Sequence, residues 1–132
     1  MIAIDTSVIV AIALGEPEAP SYAASIKDAG QACLSAANYV EASNVLEGRH
    51  GVAGRMVFQT AIQQLKSVGV AVVAVDEEIA ELAREGFRRY GKGRHAAGLN
   101  FGDCFAYALA RALDVPLLFK GADFAKTDVR LI

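Results

Sequence analysis

The sequence predicts an α/β fold built on a parallel, doubly wound sheet. Short apolar runs that suit buried strands alternate with longer stretches that carry apolar residues at helical spacing. The run 70–75 is β-rich and apolar without interruption, which is typical of a strand covered on both faces. Because strands that alternate with helices pair in parallel through right-handed crossovers, we expect the carboxyl ends of the strands to meet at one edge of the sheet.

Glycine and proline mark the boundaries of the elements in the first half of the chain. The segment Gly15-Glu16-Pro17 interrupts the first helix, and Gly48 and Gly69 each follow a helical stretch. Met56, Val57, Ala61 and Leu65 recur at helical spacing in the last of these stretches. The predicted elements are strand 2–4, helix 6–14, a helix that ends near 29, strand 31–34, helix 36–47 and helix 52–67.

Strands and helices also alternate in the second half of the chain. Its predicted elements are strand 70–75, helix 77–90, a loop with three glycines, helix 102–113, strand 116–119 and a short end strand 129–132. Helix 102–113 carries one charge besides its first acid and is apolar nearly all round, so we expect it to be buried.

Composition narrows the class of protein. A chain of 132 residues is expected to form a single domain, and its 54% hydrophobic content with a mean hydropathy of +0.32 predicts that some apolar surface is covered by another subunit. The net charge of −2 gives no overall basic surface for nucleic acid, so such binding needs a local patch.

Cys33 and Cys104 lack zinc-site spacing and are expected to be reduced core residues. No run is long enough to span a membrane, and we expect a cytoplasmic protein.

Four acidic residues occupy positions where an α/β chain builds a site. Asp5 follows the first strand, and Asp123 follows strand 116–119. Asp103 begins the apolar helix, and Glu41 lies inside a helical stretch on a face that also carries apolar residues. Because ligands of open α/β sheets bind at the carboxyl ends of the strands, these carboxylates are expected to gather there.

Each acid also has a simpler explanation. Asp5 is a good helix N-cap, and Asp103 is a first-turn acid favoured by the helix dipole. Glu41 could be a surface glutamate and Asp123 a turn residue. Asp76, which also follows a strand, is best interpreted as the N-cap of the next helix.

A carboxylate cluster of this kind requires a cation. Two carboxylates about 4 Å apart repel each other by roughly 1 kcal/mol in water and by about 4 kcal/mol at an effective dielectric of 20. All-oxygen ligands favour Mg²⁺ or Mn²⁺, and either ion can activate a water for attack on a phosphodiester. Thr6 and Ser7 could support the site, although both could simply hydrogen-bond at the helix start. Asp128 is a possible fifth acid, with a peripheral role favoured.

The sequence resembles the PIN-domain ribonucleases, and within them the VapC-type toxins of bacterial toxin–antitoxin pairs. The matching segments are residues 1–7 (MIAIDTS), Glu41 in its helix, residues 99–110 (LNFGDCFAYALA) and residues 119–128 (FKGADFAKTD). The last two segments, in this order and spacing, carry most of the resemblance, which spans 1–132. One departure is Ala122, where many members carry asparagine.

The resemblance implies a PIN-like three-layer α/β/α sandwich with a mainly parallel central sheet. It also implies cleavage of RNA that depends on Mg²⁺ or Mn²⁺, with the metal held by Asp5, Glu41, Asp103 and Asp123. The partners it implies are a second copy of the chain and a VapB-type antitoxin whose tail blocks the site.

A cluster of cations could hold the RNA. Five basic residues and Tyr90 lie within eleven positions, near a glycine-containing loop, so phosphates could follow the cations and a base could stack on the ring. The alternative is an ordinary solvated helix face. The basic residues are Arg84, Arg88, Arg89, Lys92 and Arg94.

Two other functions remain open at this stage. A receiver-like signalling domain would accept phosphate on an aspartate at the sheet edge, but it normally carries adjacent acids after its first strand, where this chain has Thr6 and Ser7. A non-catalytic α/β interaction module would use the acids only as helix caps, and it would show no dependence on metal.

Overall fold

The computed structural model describes residues 1–132 and contains a four-stranded sheet flanked by five helices. The strands are β1 (Ile2–Ile4), β2 (Ala32–Ser35), β3 (Val70–Val73) and β4 (Leu117–Leu118). The helices are α1 (Thr6–Leu14), α2 (Ala19–Ala29), α3 (Ala36–Ser67), α4 (Glu77–Tyr90) and α5 (Phe101–Leu113), and a 3₁₀ helix covers Asp123–Lys126. No helix is both long and apolar enough to span a membrane.

The sheet is parallel throughout, in the order β3-β2-β1-β4. Alternate residues of β1 enter two separate cores, because successive side chains of a strand point to opposite faces. Ile2 and Ile4 pack with residues of α1, α2 and α3, whereas Ala3 packs with residues of α4 and α5. The predicted three-layer α/β/α architecture with a parallel sheet is therefore confirmed.

Helix α3 differs from the prediction of two separate helices. The helical hydrogen bonding runs from Ala36 to Ser67, but Gly51 has φ 59° and ψ −135° and breaks the helix direction. The two halves then pack closely, since a Cβ atom on Gly54 would lie 1.9 Å from the carbonyl oxygen of Leu46. Glycine at both positions lets one helical run fold around the sheet.

Two strand predictions were wrong in detail. The run 70–75 was expected to be covered on both faces, but β3 ends at Val73 and lies at the edge of the sheet, with Ala71 and Val72 exposed. An apolar run does not reveal whether a strand is central, because that depends on which strands pair beside it. The predicted end strand 129–132 makes only a single bridge, between Leu131 and Leu117.

Both cysteines lie in the core below α4 and α5, as expected. Burial raises the pKa of the Cys33 thiol to about 11, and it raises the pKa of Cys104 to the same value. Neither thiol is therefore reactive at neutral pH.

Candidate active site

Asp5 combines a capping role with an oxygen left free. It is the N-cap of α1, and its Oδ2 accepts hydrogen bonds from the Ser7 backbone N–H at 2.9 Å and from Ser7 Oγ at 2.5 Å. Its Oδ1 is buried and has no hydrogen-bond partner. Burial raises the pKa of Asp5; the Ser7 hydrogen bonds oppose this rise, and the charge of Glu41 adds to it. The capping explanation accounts for one oxygen only.

Glu41 is held by a buried polar cluster that ties α1, α3 and α5 together. Thr6 Oγ1 donates a short hydrogen bond to Glu41 Oε2. The amide Nδ2 of Asn38, which is fully buried, lies 3.0 Å from Thr6 Oγ1, 3.3 Å from Glu41 Oε2 and 2.9 Å from the carbonyl oxygen of Gly102. Glu41 is therefore not a freely solvated surface glutamate.

Gly102 makes room for the Glu41 carboxylate at the start of α5. A Cβ atom at this position would lie 2.0 Å from Glu41 Oε1 and 2.1 Å from Oε2. The glycine before Asp103 thus serves a close approach between side chain and backbone rather than an unusual backbone angle.

Asp103 forms a capping box with Asn100. Asn100 Oδ1 accepts from the Asp103 N–H at 2.8 Å, and Asp103 Oδ2 accepts from the Asn100 N–H at 2.9 Å. Partial burial raises the pKa of Asp103 to about 7; the Asn100 hydrogen bond opposes the rise, and the charges of Asp5, Asp123 and Glu41 add to it. Each of the other three predicted acids is therefore near enough to Asp103 to raise its pKa.

A cavity of about 310 Å³ at the carboxyl ends of β1 and β4 brings the site together. Three of the four predicted acids line it, together with Thr6 and Ser7. The lining residues are Asp5, Thr6, Ser7, Val10, Glu16, Glu41, Val45, Arg49, Asn100, Asp103 and Lys120. Asp123 lies outside this lining, exposed in the 3₁₀ helix. Glu16, Asn38 and Arg49 were not predicted as site residues, because no local sequence signal connects them with the ends of the strands.

The fit of a metal ion to this cavity depends on the side chains turning. As they stand, no three acidic, histidine or cysteine side chains are positioned to share one ion. Glu41 Oε2 accepts hydrogen bonds from Thr6 and Asn38, and Asp103 Oδ2 accepts one from Asn100, so one oxygen of each carboxylate is engaged. A buried carboxylate oxygen without a donor is costly, however, and a cation is the partner that best satisfies it. The donor set is all oxygen, which suits a hard divalent cation.

Asp128 lies apart from the cavity. It accepts hydrogen bonds from Tyr107 Oη at 3.0 Å and from Arg89 Nη1 at 3.1 Å, and it also pairs with Arg111. Partial burial tends to raise the pKa of Asp128, but Tyr107, Arg111 and Arg89 together bring it below its ordinary value. Its place is a peripheral one, where it fastens the C-terminal segment to α4 and α5. Asp76, in turn, caps α4 by accepting from the Ile79 N–H at 2.9 Å.

The predicted RNA-binding cations lie on α4 and the loop after it, and none of them lines the acidic cavity. Arg84 pairs with Glu81, and Arg89 is engaged by Asp128 and Glu85. Arg94 stacks over the ring of Phe87, and all five cations are exposed. Binding of RNA by this group stays a prediction.

The fold and the acidic strand-end site define a known class of protein. The family model for the PIN domain matches residues 2–130. A ribonuclease VapC of Mycolicibacterium smegmatis is 46% identical over 129 residues, covering 98% of each chain, and ribonuclease VapC30 of Mycobacterium tuberculosis is 42% identical over 129 residues, covering 98% of this chain and 96% of the relative. The chain therefore belongs to the PIN-domain family, among the VapC ribonucleases.

Solved structures of low sequence identity share the fold. The crystal structure of Mycobacterium tuberculosis VapC20, described as a toxin that cleaves the sarcin-ricin loop, matches with a TM-score of 0.75 at 19% identity, covering 98% of this chain and 96% of that one. A toxin–antitoxin complex from Klebsiella pneumoniae matches with a TM-score of 0.71 at 18% identity, covering 100% of this chain and 96% of that one.

Proposed function

We propose that this chain is an endoribonuclease whose acidic cavity uses Mg²⁺ or Mn²⁺ to hydrolyse RNA phosphodiester bonds. Membership of the VapC ribonucleases supports RNA as the substrate and hydrolysis as the reaction. The observation that carries the metal dependence is the Asp5 oxygen that is buried in the cavity wall without a hydrogen-bond donor.

The residues in and around the cavity have different proposed roles. Asp5, Glu41 and Asp103 would hold the cation, with Asp123 approaching from the exposed side, and the cation would supply activation of a water and neutralisation of charge on the phosphate. Ser7 fixes Oδ2 of Asp5 and leaves the buried Oδ1 without a hydrogen-bond partner. Thr6 and Asn38 fix Glu41 in the same way. In the metal-free protein the pKa of Asp103 is raised to about 7, and a bound cation would lower it again because the cation favours the ionised carboxylate.

The test is incubation of the purified protein with total RNA in Mg²⁺, in Mn²⁺ or in EDTA, followed by mapping of the new RNA ends. We expect defined cuts in the presence of either metal and none in EDTA. The Asp103→Asn variant, purified in parallel, controls for contaminating nucleases and should produce no cuts. Cleavage by the wild-type chain that persists in EDTA would contradict the metal dependence, and cuts made equally by the variant would belong to a contaminating nuclease. The absence of cleavage by the wild-type chain in either metal would favour a helix-capping interaction module.

We also propose that the chain is the toxin of a toxin–antitoxin pair and that a VapB-type antitoxin blocks the cavity. Support comes from the named VapC relatives and from solved neighbours that include a toxin–antitoxin complex. Expression of the wild-type chain should arrest bacterial growth, and expression of the Asp103→Asn variant should not. Co-expression of the cognate antitoxin should restore growth; wild-type expression without any growth defect would contradict the toxin assignment.

A further inference from the structure

We infer that Lys120 is a substrate-binding residue. Its ammonium group would separate from Glu16 and Glu18 and bind an RNA phosphate beside the one that is cleaved. The inference rests on the proposed ribonuclease function and names a residue of that site. It depends on where Lys120 is anchored, on the charges of the cavity and on the partners that its ammonium group now has.

The backbone of Lys120 is fixed against the catalytic edge. Its N–H donates to Ser7 Oγ at 2.9 Å, and Ser7 Oγ in turn donates to Asp5 Oδ2 at 2.5 Å. Two hydrogen bonds therefore connect the Lys120 backbone to the carboxylate whose second oxygen is unpartnered and buried. These bonds set the position of the Lys120 backbone relative to Asp5, and the side chain is the part that can move.

Lys120 also carries one of the two positive charges in the lining of the cavity. The lining includes four carboxylates, those of Asp5, Glu16, Glu41 and Asp103, against the cations Arg49 and Lys120. RNA brings one negative charge for each phosphate, so a cavity this acidic needs cations beside the metal to accept the backbone. The cations of α4 do not line the cavity, which leaves this task to Lys120 and Arg49.

The present partners of the ammonium group can be exchanged. Lys120 Nζ is close to Glu16 and lies 3.2 Å from Glu18 Oε2, in the turn that joins α1 to α2. These side chains are partly exposed, and an exposed ion pair contributes little to stability. A phosphate can therefore replace the carboxylates at small cost, by a movement of the flexible lysine side chain. Glu16 and Glu18 then compete with RNA for the same cation.

This competition predicts that replacing Lys120 or Glu16 by the uncharged glutamine changes RNA affinity in opposite directions. Binding is measured by fluorescence anisotropy with a short fluorescein-labelled single-stranded RNA of randomised sequence, in the Asp103→Asn background so that the probe stays intact. Lys120→Gln should weaken binding several-fold and reduce the slope of log affinity against log salt by about 0.7, the value for one phosphate contact on a single strand. Glu16→Gln should strengthen binding, and Lys120→Arg should retain it.

Lys126→Gln is the matched control, because Lys126 is an exposed lysine of the same segment that lies outside the cavity lining. It should leave both affinity and salt slope close to those of the parent. In the otherwise wild-type chain, Lys120→Gln should raise KM for RNA more than it lowers kcat. Equal affinity and slope for Lys120→Gln and Lys126→Gln would overturn the inference, as would a Glu16→Gln variant that binds RNA no more tightly.

The inference and the proposed function fail in different ways. A wild-type chain that cleaves RNA while Lys120→Gln keeps the wild-type KM refutes the role of Lys120 alone. A wild-type chain that cleaves no RNA in any divalent cation refutes the proposed function, and the anisotropy measurement still decides whether Lys120 contacts RNA phosphates.

Discussion

Single atoms decide whether the acidic site can assemble, and Gly102 is the clearest case. Its hydrogen occupies a place where any larger group would meet the Glu41 carboxylate at about 2 Å. The carboxylate is the far end of a flexible side chain, so it can move aside without displacing the backbone, although it then loses its hydrogen bonds to Thr6 and Asn38. Loss of the site and loss of the fold should therefore be separable here.

We predict that Gly102→Ala displaces Glu41 and lowers RNA cleavage by roughly a hundredfold, as a misplacement of about 1 Å can do. The free energy of unfolding should change little, because the gain in helix propensity, up to about 1 kcal/mol, opposes the loss of the Glu41 hydrogen bonds to Thr6 and Asn38. Cleavage assays and thermal unfolding measure the two effects, with Gly48→Ala as a helical control that meets no neighbour. Cleavage by Gly102→Ala at the wild-type rate would show that the Glu41 position is unimportant.

The charge of Asp103 makes the stability of the metal-free protein depend on pH. Burial, with neighbouring carboxylates, raises the pKa of this carboxyl from 3.8 to about 7. The folded chain therefore binds this proton more tightly than the unfolded chain, so stability falls as pH rises through that interval. Asp5, whose pKa is also raised, acts in the same direction.

We predict that the metal-free protein melts at a higher temperature near pH 5 than near pH 8, and that added Mg²⁺ restores stability at the higher pH. Asp103→Asn should weaken the pH dependence and raise the metal-free melting temperature near pH 8. Scanning calorimetry in EDTA and in Mg²⁺ measures both. A wild-type protein that is more stable in EDTA near pH 8 than near pH 5 would contradict a crowded carboxylate site.

At the scale of elements, the break in α3 depends on a glycine at position 51. Gly51 adopts a positive φ with an extended ψ, a combination that residues with a side chain rarely tolerate. The break lets the second half of α3 return along the sheet, so that Phe58, Ile62 and Leu65 reach the same core as Leu46.

We predict that Gly51→Ala lowers the free energy of unfolding by about 1–3 kcal/mol, because the alanine must adopt a strained backbone conformation. Gly48→Ala lies one turn earlier, at a position without positive φ, and should be neutral or slightly stabilising. Urea unfolding of both variants makes the comparison. Equal stability of the two variants would mean that the break relaxes without cost.

At the scale of the whole molecule, an apolar patch remains exposed around the start of α5. The patch consists of Val40, Phe87, Phe101 and Phe105, and Phe101 is 79% exposed although it packs edge-on against Phe105 at 4.9 Å. Phe101 and Phe105 line both of two adjoining hollows, of about 580 Å³ and 380 Å³. An exposed apolar surface of this kind is typical of a protein–protein interface.

We predict that a second copy of the chain covers this patch in a homodimer. Val40→Asp places a charge in the patch and should shift the protein to monomers in sedimentation velocity, while the fold is retained. Val52→Asp is the matched control, because Val52 is 67% exposed, compared with 55% for Val40, and lies outside both hollows. A wild-type monomer would refute the dimer, and a dimeric Val40→Asp variant would refute this patch as its interface.

The local signals in the sequence were enough for the element order and the parallel α/β class. Hydrophobic periodicity located the helices. The N-caps Asp5 and Asp76 and the first-turn acid Asp103 marked three helix starts, because such residues act within one turn of the chain. Two of these residues, Asp5 and Asp103, also line the cavity, as their places after a strand and at the start of a buried helix predicted. The resemblance to PIN-domain ribonucleases added the family, which the comparisons confirm.

Only the tertiary structure decided which distant residues meet. It placed β3 at the sheet edge, joined Asn38 to Gly102 across 64 residues, and joined Lys120 to Ser7 across 113 residues. It also assigned Arg89 to Asp128, although the sequence had grouped Arg89 with cations for RNA. Capping and periodicity depend on neighbours along the chain, whereas these contacts depend on how strands pair and helices cross, and a single sequence carries no local record of that.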